Sequence, residues 1–298
     1  MFQTILKKIS SKIKIFKLAN ILRINPFFFF DLIIFHGSKL FRSNVDDKLI
    51  ILGGSSGQAF IGNTKYLYFY LRDNTDYKIY YLVKSKELQK KLEDQGIKTL
   101  FGYSIKAIRI LRKARAVFVT HGFIDVLPIK FSPRTVFVQT WHGSDIKILK
   151  RPEYFSKYIY SKWSTLTRVK LRNHHVYDYV LNTSGEKKPL QILANAFNYP
   201  MKRILPLGYP RNDILFSEDL QLVKQIKKYY DISNKVSRIM LYAPTFREDF
   251  TTKDPFSEED LIKLNELCKK VNSILILKTH IRDDIINLAT LSNIKNIR

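Results

Sequence analysis

The sequence predicts an α/β protein with a mostly parallel sheet. From Lys48 onward, short apolar runs alternate with segments of helical spacing, which is the pattern of repeated β-α-β units. The 298 residues are enough for two domains of ordinary size. Apolar residues make up 45% of the chain, with 11 glycines and 10 prolines, and this composition excludes disordered and collagen-like proteins.

The first 42 residues predict a basic amphipathic segment that precedes the domains. They carry a net charge of +7, and apolar side chains between Phe2 and Phe16 recur at helical spacing. The apolar run from Phe27 to Phe35 is cut by Asp31 and is shorter than the ~20 residues needed to span a membrane. We expect residues 1–42 to lie on an anionic inner leaflet; packing on the domain behind is the alternative.

Residues 43–205 are predicted to form a Rossmann-like domain. The expected strands are Lys48 to Leu52, Lys78 to Val83, Ala116 to Thr120, Arg134 to Thr140 and Val176 to Leu181. The expected helices between them include Lys65 to Leu71, Glu87 to Asp94 and Ile105 to Lys113.

Residues 206–298 are predicted to begin a second domain of the same kind. Its elements are a helix from Asp219 to Tyr230, a strand from Arg238 to Tyr242, a helix from Glu258 to Val271 and a strand from Ser273 to Lys278. A complete doubly wound domain has about five or six strands, so we expect this second domain to be incomplete.

The net charge of +25 requires an anionic partner, which could be nucleic acid, lipid head groups or a phosphate-rich substrate. A second basic patch, residues 147–172, has a net charge of +7 and is either a solvated helix face or a contact for a polyanionic polymer or lipid. No nucleic-acid-binding motif accompanies the charge, so nucleic acid is not expected. The single cysteine, Cys268, excludes an intramolecular disulfide and fits a reducing compartment such as the cytoplasm.

Candidate site residues follow the predicted strands, because ligands bind beyond the carboxyl ends of a parallel sheet. The loop Gly53–Gly57 either wraps an anion with its amides or reverses the chain. Asn63 is a candidate helix N-cap or ligand contact. His121 more often serves such a loop as a hydrogen-bonding group than as a catalyst. His142, between Trp141 and Gly143, is the candidate general base, because an imidazole titrates near working pH.

Three further clusters combine a turn with a cation or an imidazole, as the binding of a diphosphate requires. They are Gly208 to Asp213, Tyr242 to Arg247, and Lys278 to His280.

Residues 140–144, 208–213 and 242–247 resemble the signature motifs of the CDP-glycerol glycerophosphotransferases of teichoic acid and capsule synthesis. The resemblance covers roughly residues 48–298. It implies a GT-B fold, in which two Rossmann-like domains face a cleft, and peripheral attachment to the cytoplasmic side of the cell membrane. It also implies transfer of glycerol phosphate from CDP-glycerol to a hydroxyl of a lipid-linked acceptor.

The resemblance also implies roles for particular residues. His142 matches the motif histidine, the expected base, and His280 matches a second catalytic histidine, although Ile281 replaces the proline that usually follows it. Arg211, Arg247 and Lys278 are expected near the phosphates. The expected substrate-binding residues are Asn63, Trp141, Gly143, Arg211, Asn212, Asp213, Thr245, Arg247 and Lys278. No metal or other cofactor is implied.

Family members continue with an Asp-Tyr-Ser-Ser motif that does not occur before Arg298, so we expect the donor-binding domain to be truncated and the chain to be catalytically deficient. Two alternatives share the charge and the architecture. One is a GT-B sugar-nucleotide glycosyltransferase or epimerase, since a fold does not fix a chemistry. The other is an inactive remnant that binds membrane or polymer.

Overall fold

The computed structural model describes residues 33–143, 177–197, 200–216, 220–243, 256–278 and 294–298. The chain divides into two compact units, Met1–Phe216 and Ser217–Arg298. Residues 206–216, which the sequence pattern places in the second domain, lie in the first unit. The basic patch at 147–172 lies outside the described residues.

The first unit is built on a parallel sheet. Within the described residues it has seven strands, in the order β3-β2-β1-β4-β5-β6-β7. The strands are β1 (Asp46–Gly53), β2 (Lys78–Val83), β3 (Thr99–Phe101), β4 (Ala114–Val119), β5 (Val136–Gln139), β6 (Tyr179–Leu181) and β7 (Ile204–Leu205). All five predicted strands are confirmed, with ends that differ by a few residues. β3 and β7 were not predicted, because two or three residues are too few to show a periodicity.

Helices of the first unit connect these strands. They are α1 (Asn63–Asn74), α2 (Lys86–Glu93), α3 (Ile105–Leu111) and α4 (Lys187–Phe197), of which the first three were predicted. Short 3₁₀ segments cover Ser55–Gly57, Phe123–Asp125, Met201–Arg203 and Pro210–Phe216. Ser85 and Ser104 cap α2 and α3 by accepting hydrogen bonds from backbone N–H groups, which explains where both helices begin.

The core of the first unit covers both faces of the sheet. Along β1, Ile51 packs with Val117 and Leu111 on one face, whereas Leu52 packs with Tyr68 and Tyr81 on the other. Successive side chains of a strand point to opposite faces, so a strand that is apolar throughout must be covered on both. This burial fixes the sheet, and the sheet fixes the edge at which its strands end.

Residues 33–41 are the end of the predicted membrane-associating segment, residues 1–42. In the structure they pack within the first unit. Residues 33–38 are helical, and Ile34 and Phe35 are buried. The Arg112 guanidinium donates to the Phe41 carbonyl at 3.0 and 3.1 Å, and the Lys130 N–H donates to the Ser38 hydroxyl at 3.0 Å. For residues 33–41 the structure therefore supports the second alternative, packing on the domain. Residues 1–32 lie outside the described residues.

The helices that the structure describes include none that is both long enough and apolar enough to cross a membrane.

The second unit contains the four elements that the sequence predicts. They are α5 (Leu220–Tyr229), β8 (Arg238–Tyr242), α6 (Glu258–Lys270) and β9 (Ser273–Leu277). β8 and β9 pair in parallel, and Leu261 and Cys268 of α6 pack against Leu275. A capping box of Ser257 and Asp260 begins α6.

Candidate functional site

The candidate site lies where neighbouring parallel strands of the first unit end. Strands β1, β4 and β5 are adjacent, so the loops after Gly53, Val119 and Gln139 meet at one edge of the sheet. The segment Pro210–Phe216 packs beside this edge through Arg211. Residues separated by as many as 148 positions are thus in contact.

Two histidines stack at this edge. The rings of His121 and His142, here called the histidine pair, lie with centroids 4.1 Å apart and an interplanar angle of 13°. The Trp141 ring also contacts His142, at 4.2 Å between centroids. The sequence pattern assigns His121 to a loop. It does not indicate that the two rings touch, because 21 residues separate the two histidines.

His142 is arranged as a base. Its Nδ1 lies 3.0 Å from the Thr120 carbonyl oxygen, which can only accept, so Nδ1 carries the proton and Nε2 keeps its lone pair. Desolvation by the surrounding protein lowers the pKa of His142, although the hydrogen bond to Thr120 opposes this effect. The imidazole is therefore neutral at neutral pH, the state that a general base requires.

Asp125 anchors this region, and sequence reasoning missed it. Its carboxylate is fully buried and accepts the Ser56 N–H at 2.7 Å and the N–H groups of Thr120 and His121, both at 2.6 Å. Burial acts to raise the pKa of Asp125, but the hydrogen bonds from His121 and Ser56 outweigh it and lower the pKa below its ordinary value. The available signal was a carboxylate four residues after a histidine at a strand end.

The loop Gly53–Gly57 does wrap an anion, but the anion belongs to the protein. The Ser56 N–H binds Asp125, and the Ser55 N–H donates to the Thr120 hydroxyl at 3.3 Å. These two amides are therefore occupied by groups of the protein. A Cβ on Gly53 would lie 2.6 Å from the Asp125 carbonyl oxygen, so glycine is required at this close approach.

Asn63 is not the N-cap that the sequence predicts. Gly62 occupies the cap, and Asn63 is the first helical residue. The buried Asn63 amide donates to the carbonyls of Thr140 and Trp141 at 2.8 and 2.9 Å and accepts the Arg211 N–H at 3.4 Å. These bonds hold the Trp141 turn, whose φ of +58° is unusual for a residue other than glycine.

Arg211 lies in contact with His142. Its Nη1 donates to the His142 carbonyl at 3.0 Å, and its guanidinium lies 5.5 Å from the centre of the Tyr209 ring. Gly143 and Asn212 are half-buried, whereas Asp213 is exposed. The structure thus brings Asn63, Trp141, His142, Gly143 and Arg211 together.

The remaining predicted residues lie in the second unit or outside the described residues. Lys278 follows β9 in the second unit, where its N–H donates to the Tyr242 carbonyl at 2.9 Å. Thr245, Arg247 and His280 lie outside the described residues, so their roles stay predictions. Within the described ranges, no group of three or more His, Cys, Asp or Glu side chains could hold a metal ion.

Comparison with known proteins adds relatives to this geometry. The chain is 30% identical over 247 residues to the teichoic acid poly(glycerol phosphate) polymerase of Bacillus spizizenii, covering 79% of this chain and 60% of the relative. It is 27% identical over 213 residues to the teichoic acid glycerol-phosphate transferase of Staphylococcus aureus, covering 71% of this chain and 53% of the relative. The chain thus spans between about half and three fifths of the length of these relatives.

The fold matches a solved structure. The wall teichoic acid polymerase TagF superposes with a TM-score of 0.61 at 21% identity, covering 85% of this chain and 62% of that chain. This likeness confirms the predicted α/β fold class.

The family model for CDP-glycerol:poly(glycerophosphate) glycerophosphotransferases matches residues 34–289, which include every motif that the sequence singles out. Because that match covers most of the 298 residues, the chain belongs to this family.

Proposed function

We propose that the protein formed by these residues together with a complete donor-binding domain transfers glycerol phosphate from CDP-glycerol to a hydroxyl of a lipid-linked teichoic acid or capsular polymer acceptor. The observation that carries the proposal is His142 itself: the family's motif histidine stands in a stacked pair at the carboxyl edge of the sheet, with Nε2 unprotonated. Relatives named as glycerol-phosphate polymerases support the donor, and one TagF structure was determined after a 15 minute soak with CDPG.

The proposed reaction is a single displacement at phosphorus. The acceptor hydroxyl oxygen attacks the phosphorus that bears glycerol, and the bond from that phosphorus to the oxygen shared with CMP breaks. CMP leaves with the electron pair, and Nε2 of His142 takes the hydroxyl proton. Arg211, which donates to the His142 backbone, places positive charge beside the base, where it stabilises the transferred phosphoryl group.

The remaining predicted residues keep their proposed roles in the same reaction. Arg247 and Lys278 bind the donor phosphates, Thr245 contacts substrate, and His280 serves as the second catalytic histidine. Trp141, Gly143, Asn212 and Asp213 contact substrate. The buried Asn63 acts by holding the Trp141 turn and Arg211, since its amide is already bound to three backbone groups.

The membrane is part of the proposal. A lipid-linked acceptor is presented at the cytoplasmic face, and a chain with a net charge of +25 is attracted to anionic lipid there. Residues 1–32 are the proposed peripheral attachment, because their lysines and apolar side chains alternate at helical spacing.

The test measures the release of CMP and the formation of labelled polymer from CDP-glycerol and an acceptor that ends in glycerol phosphate. CDP-ribitol and UDP-N-acetylglucosamine serve as alternative donors. His142→Ala should lower kcat by the ~10²- to 10⁴-fold typical of a lost general base and leave the donor KM nearly unchanged. Circular dichroism of both proteins controls for folding. Turnover of the UDP-sugar alone, or a folded His142→Ala variant with near-normal kcat, would contradict the proposal.

A further inference from the structure

Thr120 is bonded to both members of the histidine pair. Its carbonyl oxygen lies 3.0 Å from Nδ1 of His142, and its hydroxyl lies 2.7 Å from Nδ1 of His121. Because both Nδ1 atoms are directed at one residue and the rings are nearly parallel, both Nε2 atoms are directed away from it. The pair therefore presents two similar nitrogen edges on the side opposite Thr120.

The polarity of the bonds around the Thr120 hydroxyl follows from Asp125. An ionised carboxylate can only accept, so the single hydroxyl proton of Thr120 is donated to Oδ2 of Asp125, 3.0 Å away. The hydroxyl oxygen must then accept from His121, which places the imidazole proton of His121 on Nδ1. Oδ1 of Asp125 lies 3.5 Å from the same nitrogen and favours the same assignment.

The carboxylate that starts this chain of bonds is rigidly held. Asp125 is fully buried, and three backbone N–H groups fix its orientation. To reach it, Ser56 adopts a φ of +58°, a left-handed conformation that costs free energy in a residue other than glycine. Thr120 is also buried, so water has little access to its hydroxyl.

We propose that Thr120 and Asp125 are positioning residues that hold both histidines in the Nδ1–H tautomer, so that each offers the Nε2 lone pair to the acceptor side. The inference rests on the proposed function, because it gives the pair its task. Among the described residues, Asp125 and His142 contact His121, the Tyr177 hydroxyl lies 2.6 Å from where a Cβ on Gly122 would stand, and Arg211 is bonded to His142. The Thr120 hydroxyl is the nearer partner of Nδ1 of His121, at 2.7 Å, and Oδ1 of Asp125 lies farther away, at 3.5 Å.

The first experiment measures tautomers, which do not depend on activity. Nitrogen-15 chemical shifts of the ring nitrogens in the full chain should show Nδ1–H for both histidines. Thr120→Val removes the hydroxyl and keeps the β-branched shape and the carbonyl, so His121 should become a mixture of tautomers while His142 stays Nδ1–H. Thr120→Ser should restore the original His121 shifts. Thr135→Val, which removes a buried hydroxyl bonded to the Ala114 carbonyl, is the matched control and should change neither ring.

Asp125→Asn separates the hydrogen bonds of the carboxylate from its charge. Oδ2 of Asp125 accepts the N–H groups of Thr120 and His121, so the amide oxygen should take its place and still accept from the Thr120 hydroxyl, and His121 should keep the Nδ1–H tautomer. If this variant does not fold, the Thr120 series alone decides. An unchanged His121 spectrum in folded Thr120→Val would overturn the inference.

The second experiment measures transfer. In Thr120→Val, kcat should fall by roughly two- to tenfold, because only the fraction of His121 in the Nδ1–H tautomer stays competent, with the donor KM nearly constant and with recovery in Thr120→Ser. Normal kcat in a Thr120→Val protein with altered tautomers would overturn the role in catalysis. If the protein transfers nothing even with a complete donor-binding domain, the proposed function fails, whereas the tautomer result still tests the positioning of the rings.

Discussion

At the scale of single residues, the lowered pKa of His142 predicts the acid side of the pH profile. Desolvation favours the neutral imidazole, so the base form persists below the ordinary histidine value of about 6.5. As pH falls through the shifted pKa, the ring gains a proton and kcat/KM should fall about tenfold per pH unit. The measurement is kcat/KM for CMP release between pH 5 and 8, and an acid limb centred above about 7 would contradict it.

Asn63 shows which contacts of a single residue can be predicted from the sequence. A polar residue at the start of a helix indicates capping, and the helix does begin there, but Gly62 is the cap. The Asn63 amide instead bonds to Thr140, Trp141 and Arg211, which are 77, 78 and 148 residues away. Such partners depend on how strands are ordered in the sheet, and a local pattern contains no information about that order. His142 was predictable because it sits in a motif, whereas Asp125 and the stacking of His121 required the fold.

At the scale of elements, Arg112 should control how residues 33–41 are held. Its guanidinium bonds to the Phe41 and Lys130 carbonyls, and burial lowers its pKa. Arg112→Met keeps an unbranched apolar stem and leaves those acceptors unpaired, at a cost of about 1–3 kcal/mol. Amide hydrogen exchange of residues 33–41 should therefore speed up markedly. The exposed neighbour Lys113→Met is the control and should leave exchange unchanged; equal exchange in both variants would show that packing of Ile34 and Phe35 alone suffices.

The elements themselves followed from sequence to different degrees. Long apolar strands such as β1 and β2, and helices with a serine cap, were predictable from periodicity and capping. The short strands β3 and β7 were not, since their place in the sheet comes from pairing with β2 and β6. The end of the N-terminal segment was also ambiguous, because an apolar helix face suits a protein surface as well as a lipid surface.

At the scale of the whole molecule, the net charge of +25 predicts salt-dependent binding to anionic vesicles. The structure refines the deletion that tests this, because residues 33–41 belong to the first unit. Removal of residues 1–32 should abolish most binding to phosphatidylglycerol vesicles in a sedimentation assay and leave the circular dichroism of the domains intact. Binding that survives the deletion would move the contact to another basic surface, with residues 147–172 the first to substitute.

The long-range bonds of Asn63 also bear on the order in which the protein folds. Contacts that close loops of 77 and 148 residues pay a large chain entropy, so they form after the local β-α-β units. A nascent chain therefore completes its central strands before residues 208–213 have been synthesised, while the His142 carbonyl still lacks its bond to Arg211. The surroundings of His142 are thus assembled late, and synthesis of the first 200 residues alone yields a sheet without a finished candidate site.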